Sequence, residues 1–213
     1  MTERLKEIFS SIPVGEVFAD VGCDHGYIAK AVLKSGKCKK AIVSDISEKS
    51  LLKAKSLLAR EIAAGKAVAV VSDGFKNLPP CDVALIAGMG GDEIIKILTE
   101  APFLPENLVL QPMKQSPKVR VFVVDSGYAV QEDRVFSEGY MFYDLIRLKK
   151  GKDVLTAEEI EYGRTNLTSP PDAFKKKIRW EIKNIDARIA QGELKKNVLM
   201  AFIKRKEELK KYV

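Results

Sequence analysis

Residues 16–27 read EVFADVGCDHGY: an apolar run over 16–20, then Val21-Gly22, then Asp24-His25-Gly26 and the start of an amphipathic helix that reaches Lys34. The run is short and rich in β-branched and aromatic residues, so it predicts a strand. The glycines predict a tight turn into the helix. Such a turn brings bare backbone and the positive end of a helix to one point, where a charged small molecule can bind. A dinucleotide-binding turn has the pattern GxGxxG, with small residues facing a pyrophosphate. Here Asp24 takes the place of the middle glycine. A carboxylate repels a pyrophosphate and attracts an ammonium or sulfonium, so the turn favours a cationic ligand over NAD.

The unit repeats along the chain. Residues 40–45 (KAIVSD), 67–72 (AVAVVS), 82–87 (DVALIA) and 107–111 (NLVLQ) predict further strands. Helices are predicted over 48–64, capped by Ser47, over 91–98, and over 119–125, stopped by Gly127. The strands are apolar along their whole length, as in a sheet covered on both faces. Residues 128–136 and 140–149 then predict two strands joined too tightly for a parallel crossover, hence antiparallel. The fold class is α/β, a Rossmann-like, mainly parallel sheet with an antiparallel last strand. It resembles the fold of S-adenosylmethionine (SAM)-dependent methyltransferases.

The composition shifts near Gly151. A short capped helix is predicted over 156–163, and Ser169-Pro170-Pro171 breaks the chain. Ile178, Ile182, Ile185 and Ile189 then share one helical face. Gly192 interrupts the pattern, and Leu194, Val198, Phe202 and Leu209 resume it, predicting a helical hairpin. The division is therefore 1–155, a ligand-binding domain, and 156–213, a helical hairpin. The net charge is +7, and all of it lies in the last 43 residues. A neutral domain with a basic appendage points to an acidic partner such as nucleic acid. The candidate phosphate contacts are Lys175, Lys176, Lys177, Arg179, Lys183 and Arg188 on the first hairpin helix, with Lys204 and Arg205 on the second. Trp180, the one tryptophan, reads as a brace for the hairpin.

The 213 residues are 46% hydrophobic and 31% charged, ordinary for a globular chain. No run approaches the ~20 apolar residues of a membrane span. Residues 1–13 are amphipathic and lack the apolar core of a signal peptide, so the chain reads as cytoplasmic. Cys23, Cys38 and Cys81 form no CxxC pair, and His25 is the single histidine, which argues against a zinc site or any other metal, and against a disulfide framework. The chain reads as a monomer, with a weak dimer, for which the hairpin is the candidate device, as the alternative.

Three acids end consecutive predicted strands: Asp20, Asp45, 25 positions further on, and Asp73 beside Gly74. The carboxyl ends of strands are where an open α/β sheet binds ligands. Asp20, Gly22, Asp24 and Gly26 fit the methionine part of SAM, Asp45 with Ile46 its ribose, and Asp73 with Gly74 its adenine. Ala87, Gly88, Met89 and Gly90 follow the fourth strand, expose backbone over the same point and complete the cofactor-binding set, next to where a methyl acceptor would lie. Asp24, His25 and Tyr27 are the candidate catalytic residues. Asp24 supplies negative potential, and Tyr27 supplies a face for a base.

The stretches ADVGCDHGYIAKAVL, IVSDIS, VSDGF, ALIAGMGGDEIIKIL and LVLQP together resemble the bacterial tRNA adenine-N1 methyltransferases that modify adenine 22 of the D-arm, the TrmK-like family. The likeness runs from about Glu3 through Lys150 and extends into EEIEYGRTNL and the hairpin. It implies SAM as cofactor, tRNA as partner, methyl transfer to adenine N1, and a C-terminal helical domain that helps hold tRNA. Three positions depart from the family. Gly26 stands in DHGYI where the family has DHAYL, Met113 stands where it has Asn after LQP, and Arg164 follows Gly163 where it has Pro. Met113 bears on the target nucleotide, because it cannot hydrogen-bond a base as Asn does. The competing readings are a SAM-dependent methyltransferase of another RNA or of a small molecule, and a non-catalytic RNA-binding protein on the same fold. The three acids weigh against the second.

Overall fold

A computed structural model describes residues 1–192 and 194–213. Helix α1 (Glu3–Ser11) leads into β1 (Gly15–Val21), α2 (Tyr27–Ser35), β2 (Cys38–Asp45), α3 (Glu48–Leu57), α4 (Ala59–Ala63) and β3 (Ala67–Val71). Then come β4 (Val83–Met89), α5 (Gly91–Thr99), β5 (Asn107–Pro112), α6 (Ser116–Asp125), β6 (Tyr128–Glu138) and β7 (Met141–Lys150). Helices α7 (Ala157–Tyr162), α8 (Arg164–Thr168), α9 (Asp172–Ala190) and α10 (Lys196–Leu209) end the chain with a 3-10 turn.

The seven strands form one sheet in the order β3-β2-β1-β4-β5-β7-β6. Strands β1 to β5 pair in parallel, and β7 runs antiparallel to both β5 and β6. The Rossmann-like sheet with its antiparallel last strand is thus present. The strand order reverses between β1 and β4, which makes their carboxyl ends the switch point of the fold. Alternate residues point to opposite faces. Phe18, Val43, Leu85 and Val109 pack toward α1, α2 and α3. Ala19, Ile42, Ile86 and Leu108 pack toward α5 and α6.

Two elements differ from the sequence expectation. The helix expected over 48–64 breaks at Leu58, whose backbone leaves the helical region (φ −101°, ψ 15°) while its side chain is fully buried. Burial of Leu58 outweighs the small local preference for one long helix. The helix expected from Val119 starts earlier, at Ser116, with Pro117 in its first turn, where a missing N–H costs nothing.

Strand β6 lies at the sheet edge, and the chain that follows covers it. The N–H groups of Val130, Asp133 and Val135 donate to Asp153 Oδ2, Thr165 Oγ1 and Asn166 Oδ1 at 2.9, 2.8 and 2.8 Å. Side chains thereby replace the missing neighbour strand. Arg120 of α6, fully buried, donates to both carboxylate oxygens of Asp133 (2.6 and 2.9 Å), to Asp144 Oδ1 (3.1 Å) and to the Ile160 carbonyl (3.0 Å). Lys177 of α9 approaches Asp144 at 3.3 Å. Phe174, Ile178 and Ile185 of α9 and Leu209 of α10 share a small core with Val135 of β6. The hairpin therefore seats directly on the edge strand. Helix α7 carries the expected cap: Thr156 Oγ1 accepts from Glu159 N, and the Glu159 carboxylate accepts from Thr156 N. Leu194 precedes α10 instead of lying in it. Among the described residues, no helix is long and apolar enough to cross a membrane.

Candidate active site

A cavity of about 530 Å³ opens at the switch point, lined by the ends of β1 and β4, the turn after β1, and α1. Its size suits a cofactor-sized ligand. Asp20, Gly22, Asp24, His25, Tyr27, Ala87, Gly88 and Met89 all line it. Asp20 closes β1 with 6% exposure. Burial pushes its carboxyl up to about 7, and the Ala29 amide draws it back in part. Gly22 lies at φ +74°, and a Cβ there would fall on the Met89 methyl, so the turn and the end of β4 meet only over a glycine. The Gly22 and Cys23 amides both donate to the Ser44 carbonyl (2.8 and 2.9 Å), which ties the turn to β2.

Asp24 is exposed and also adopts a positive φ, 42°. Lys53 Nζ and His25 Nε2 approach its carboxylate at 3.2 and 3.4 Å. The His25 and Tyr27 rings stack, with centroids 5.3 Å apart. Gly26 faces the other way. A Cβ there would press on Ala54 and Leu58 at 3.2 and 3.3 Å, so this glycine serves the packing of α2 on α3. Gly90 abuts Lys114.

Asp45 and Asp73 lie outside the cavity wall, at the ends of β2 and β3. These strands follow β1 in sheet order, so the three acids step across about 10 Å at the ordinary strand spacing. Asp45 Oδ1 accepts from Ser47 N at 2.8 Å. Asp73 binds Lys76 at 2.6 Å, and this hydrogen bond holds its carboxyl below the usual range. Ile46 is exposed beside Asp45, and Gly74 takes a positive φ of 62° after Asp73.

The wall residues Arg4, Glu138 and Tyr143, and Gln111 behind them, escaped the sequence reading. Arg4 of α1 donates from Nε and Nη2 to Gln111 Oε1 (2.9 and 2.6 Å), and its guanidinium lies over the Tyr143 ring at 5.5 Å. The Arg4 amide donates to Glu138 at 3.0 Å. A Cβ on Gly88 would come within 2.9 Å of Arg4 Nη2, so the guanidinium rests against the glycine turn. Gln111 had surfaced only as the middle of the LQP match. Its partner lies 107 positions away, and no local pattern points to it.

Of the expected phosphate contacts, Lys177 is held by Asp144, and Arg205 binds Glu181, Glu161 and the Tyr162 hydroxyl. Among the described residues, Lys175, Lys176, Arg179, Lys183, Arg188 and Lys204 make no ion pair. No cluster of three His, Cys, Asp or Glu side chains is placed to hold a metal ion among the described residues.

Residues 1–146 match a family model described as a methyltransferase domain. The chain belongs to that family. Among the relatives of this methyltransferase, a Mycoplasma pneumoniae protein, assigned by name to the tRNA methyltransferases, is 28% identical over 193 residues, covering 86% of this chain and 89% of its own. The tRNA (adenine(22)-N(1))-methyltransferase of Bacillus subtilis is 27% identical over 156 residues, covering 71% of this chain and 66% of its own. The structure of M. capricolum TrmK in complex with S-adenosyl-homocysteine superposes with a TM-score of 0.86 at 23% identity, covering 100% of this chain and 97% of that one. That likeness shows a shared fold that includes the C-terminal helices.

Proposed function

We propose that this methyltransferase takes SAM as donor and methylates N1 of an adenine in tRNA, adenine 22 of the D-arm. The observation that carries the reading is the cavity at the switch point, with the buried Asp20 carboxylate in its wall, in a chain of the methyltransferase-domain family. The names of the relatives and the basic hairpin support tRNA as substrate.

The cavity fits the donor on its own chemistry. Asp20 is a desolvated carboxylate with no cationic side chain paired to it among the described residues, and Gly22 lines the cavity with bare backbone. SAM, once bound, supplies a methyl group activated by a sulfonium. Asp20, Gly22 and Asp24 hold its methionine part. Asp45 accepts from the ribose hydroxyls through the oxygen that Ser47 leaves free, and Asp73 accepts from the adenine amino group. The chain needs no general base at the acceptor, because adenine N1 attacks through a free lone pair. Its residues act by alignment and by field. Asp24 provides negative potential where positive charge develops on the base. The stacked His25 and Tyr27 offer a face to an adenine flipped out of the RNA. Arg4 and Gln111 fix the wall on the acceptor side.

The test is transfer of labelled methyl from SAM to an unmodified tRNA transcript, followed by nucleoside mass spectrometry and mapping of the position. N1-methyladenosine at position 22 is expected. A different methylated nucleoside, or none, overturns the assignment of the acceptor.

A further inference from the structure

A second cleft, of about 410 Å³, lies on the opposite face of the β6–β7 hairpin, between the turn after β5 and helix α9. Neighbouring residues of β7 divide the two spaces. Tyr143 lines the donor cavity, whereas Phe142 and Asp144 line the cleft. At the tip of the turn between them stands Tyr140, 99% exposed. Trp180 of α9 is 57% exposed, its ring 6.3 Å from Phe142. It touches the sheet as a brace would, yet stays more than half exposed while lining the cleft. Met113, the departure after LQP, lines the same wall.

The electrostatics of this cleft are one-sided. Its carboxylates are satisfied internally: Asp144 by Arg120 and Lys177, Glu161 and Glu181 by Arg205. Lys114 lines the cleft and makes no ion pair among the described residues. Its chain rests on Gly90, in the glycine turn beside the donor cavity. Lys176 and Lys183, one helical turn on either side of Trp180, are likewise without an ion pair among the described residues. Exposed aromatic rings beside unpaired cations are what a single-stranded nucleic acid needs, since rings stack on bases and cations follow phosphates.

We propose that this cleft seats a tRNA nucleotide next to the methylated adenine, its base stacked on Trp180 and Tyr140 and its phosphate at Lys114. The inference rests on the proposed function and extends it. The RNA strand straddles the β6–β7 turn, with the flipped adenine on one face and its neighbour on the other. Met113 then offers an apolar surface to that neighbouring base.

Trp180 is the only tryptophan, so the emission of the whole chain reports on the cleft. The full-length protein is titrated with an unmodified tRNA transcript while fluorescence anisotropy of the labelled transcript follows binding. Quenching of Trp180 in step with binding is expected, with no change on adding SAM alone. Tyr140→Ala and Trp180→Ala should each lose about tenfold or more in kcat/KM for methyl transfer. Tyr140→Phe and Trp180→Phe should keep most of it, and SAM affinity by calorimetry should stay unchanged in all four. Binding and methylation with unaltered Trp180 emission, or alanine variants that work at the wild-type rate, would overturn the inference. A wild-type protein that binds and quenches but transfers no methyl overturns the proposed reaction and the place of this nucleotide beside a methylated adenine, while the cleft stands as a seat for a tRNA base. One that binds no transcript overturns both.

Discussion

Asp20 combines burial with a place in the donor wall, and this gives it a pH signature. Its carboxyl, pushed from 3.8 to about 7 by desolvation, holds its proton in the ligand-free protein below that pH. That preference stabilises the fold below pH ~4 and is lost as pH rises through about 7. Binding a cationic ligand has the opposite demand, since only the ionised carboxylate attracts an ammonium. SAM affinity should therefore weaken as pH falls from 7.5 to 6, by up to about tenfold per unit. Asp20→Asn should bind more weakly at pH 7.5 and show no such slope, while His25→Asn keeps it. Calorimetric titration at three pH values in that range decides this, and a slope that survives in Asp20→Asn would exclude the role. At Gly22 the constraint is steric. Alanine must hold φ +74° and displace the Met89 methyl, a cost of about 1–3 kcal/mol that urea unfolding would read. The pairing of Asp20 with Gly22 was legible in the sequence because both sit within one strand-turn unit. The clamp of Arg4 on Gln111 was not, because only the folded sheet brings α1 to the end of β5.

Strand identity is written locally; strand neighbours are not. Each of the seven strands announced itself by its own apolar run, and the short β6–β7 turn fixed their antiparallel sense. That β7 lies between β5 and β6 follows from packing across the sheet, and so does the fact that β6 becomes an edge. Such an edge needs cover, and Asn166 of α8 provides it. Its carbonyl accepts from Val135 N and its amide donates to the Tyr162 carbonyl at 2.7 Å, with the side chain fully buried. Asn166→Ala leaves the buried Val135 amide and the part-buried Tyr162 carbonyl without these partners. Each such loss costs about 1–3 kcal/mol, so a fall in stability of about 2–4 kcal/mol is expected in urea unfolding. Thr165→Val removes a single partner, that of the Asp133 amide, and should cost less, about 1–3 kcal/mol. Equal losses for the two variants would show that the edge is held by packing alone. The break at Leu58 had no local sign, since leucine and alanine on either side both favour helix, and burial made the decision.

Counting charges along the chain located the basic segment correctly, but not the division of labour within it. The whole excess of +7 sits in the last 43 residues, yet part of it is structural. Arg205 joins three helices, binding Glu161 of α7, Glu181 of α9 and the Tyr162 hydroxyl. Its partners lie 24 to 44 positions away, so sequence spacing cannot tell it from Lys183, which makes no ion pair among the described residues. The two should fail in different ways. Lys183→Ala removes a charge that RNA phosphates would meet, so tRNA affinity should fall and the slope of log K against log salt should shrink by about 1. Its unfolding curve should match the wild type. Arg205→Ala loosens the seat of the hairpin on the sheet and should cost about 1 kcal/mol, discounted for partial exposure. The salt slope should stay within experimental error, because a guanidinium already bound to two carboxylates releases few counterions. Salt-dependent binding and denaturant unfolding on the same two variants separate these effects. If Arg205→Ala lowered the salt slope as Lys183→Ala does, with stability intact, the internal ion pairs would have to open on tRNA binding, and the hairpin would be a clasp that RNA prises loose.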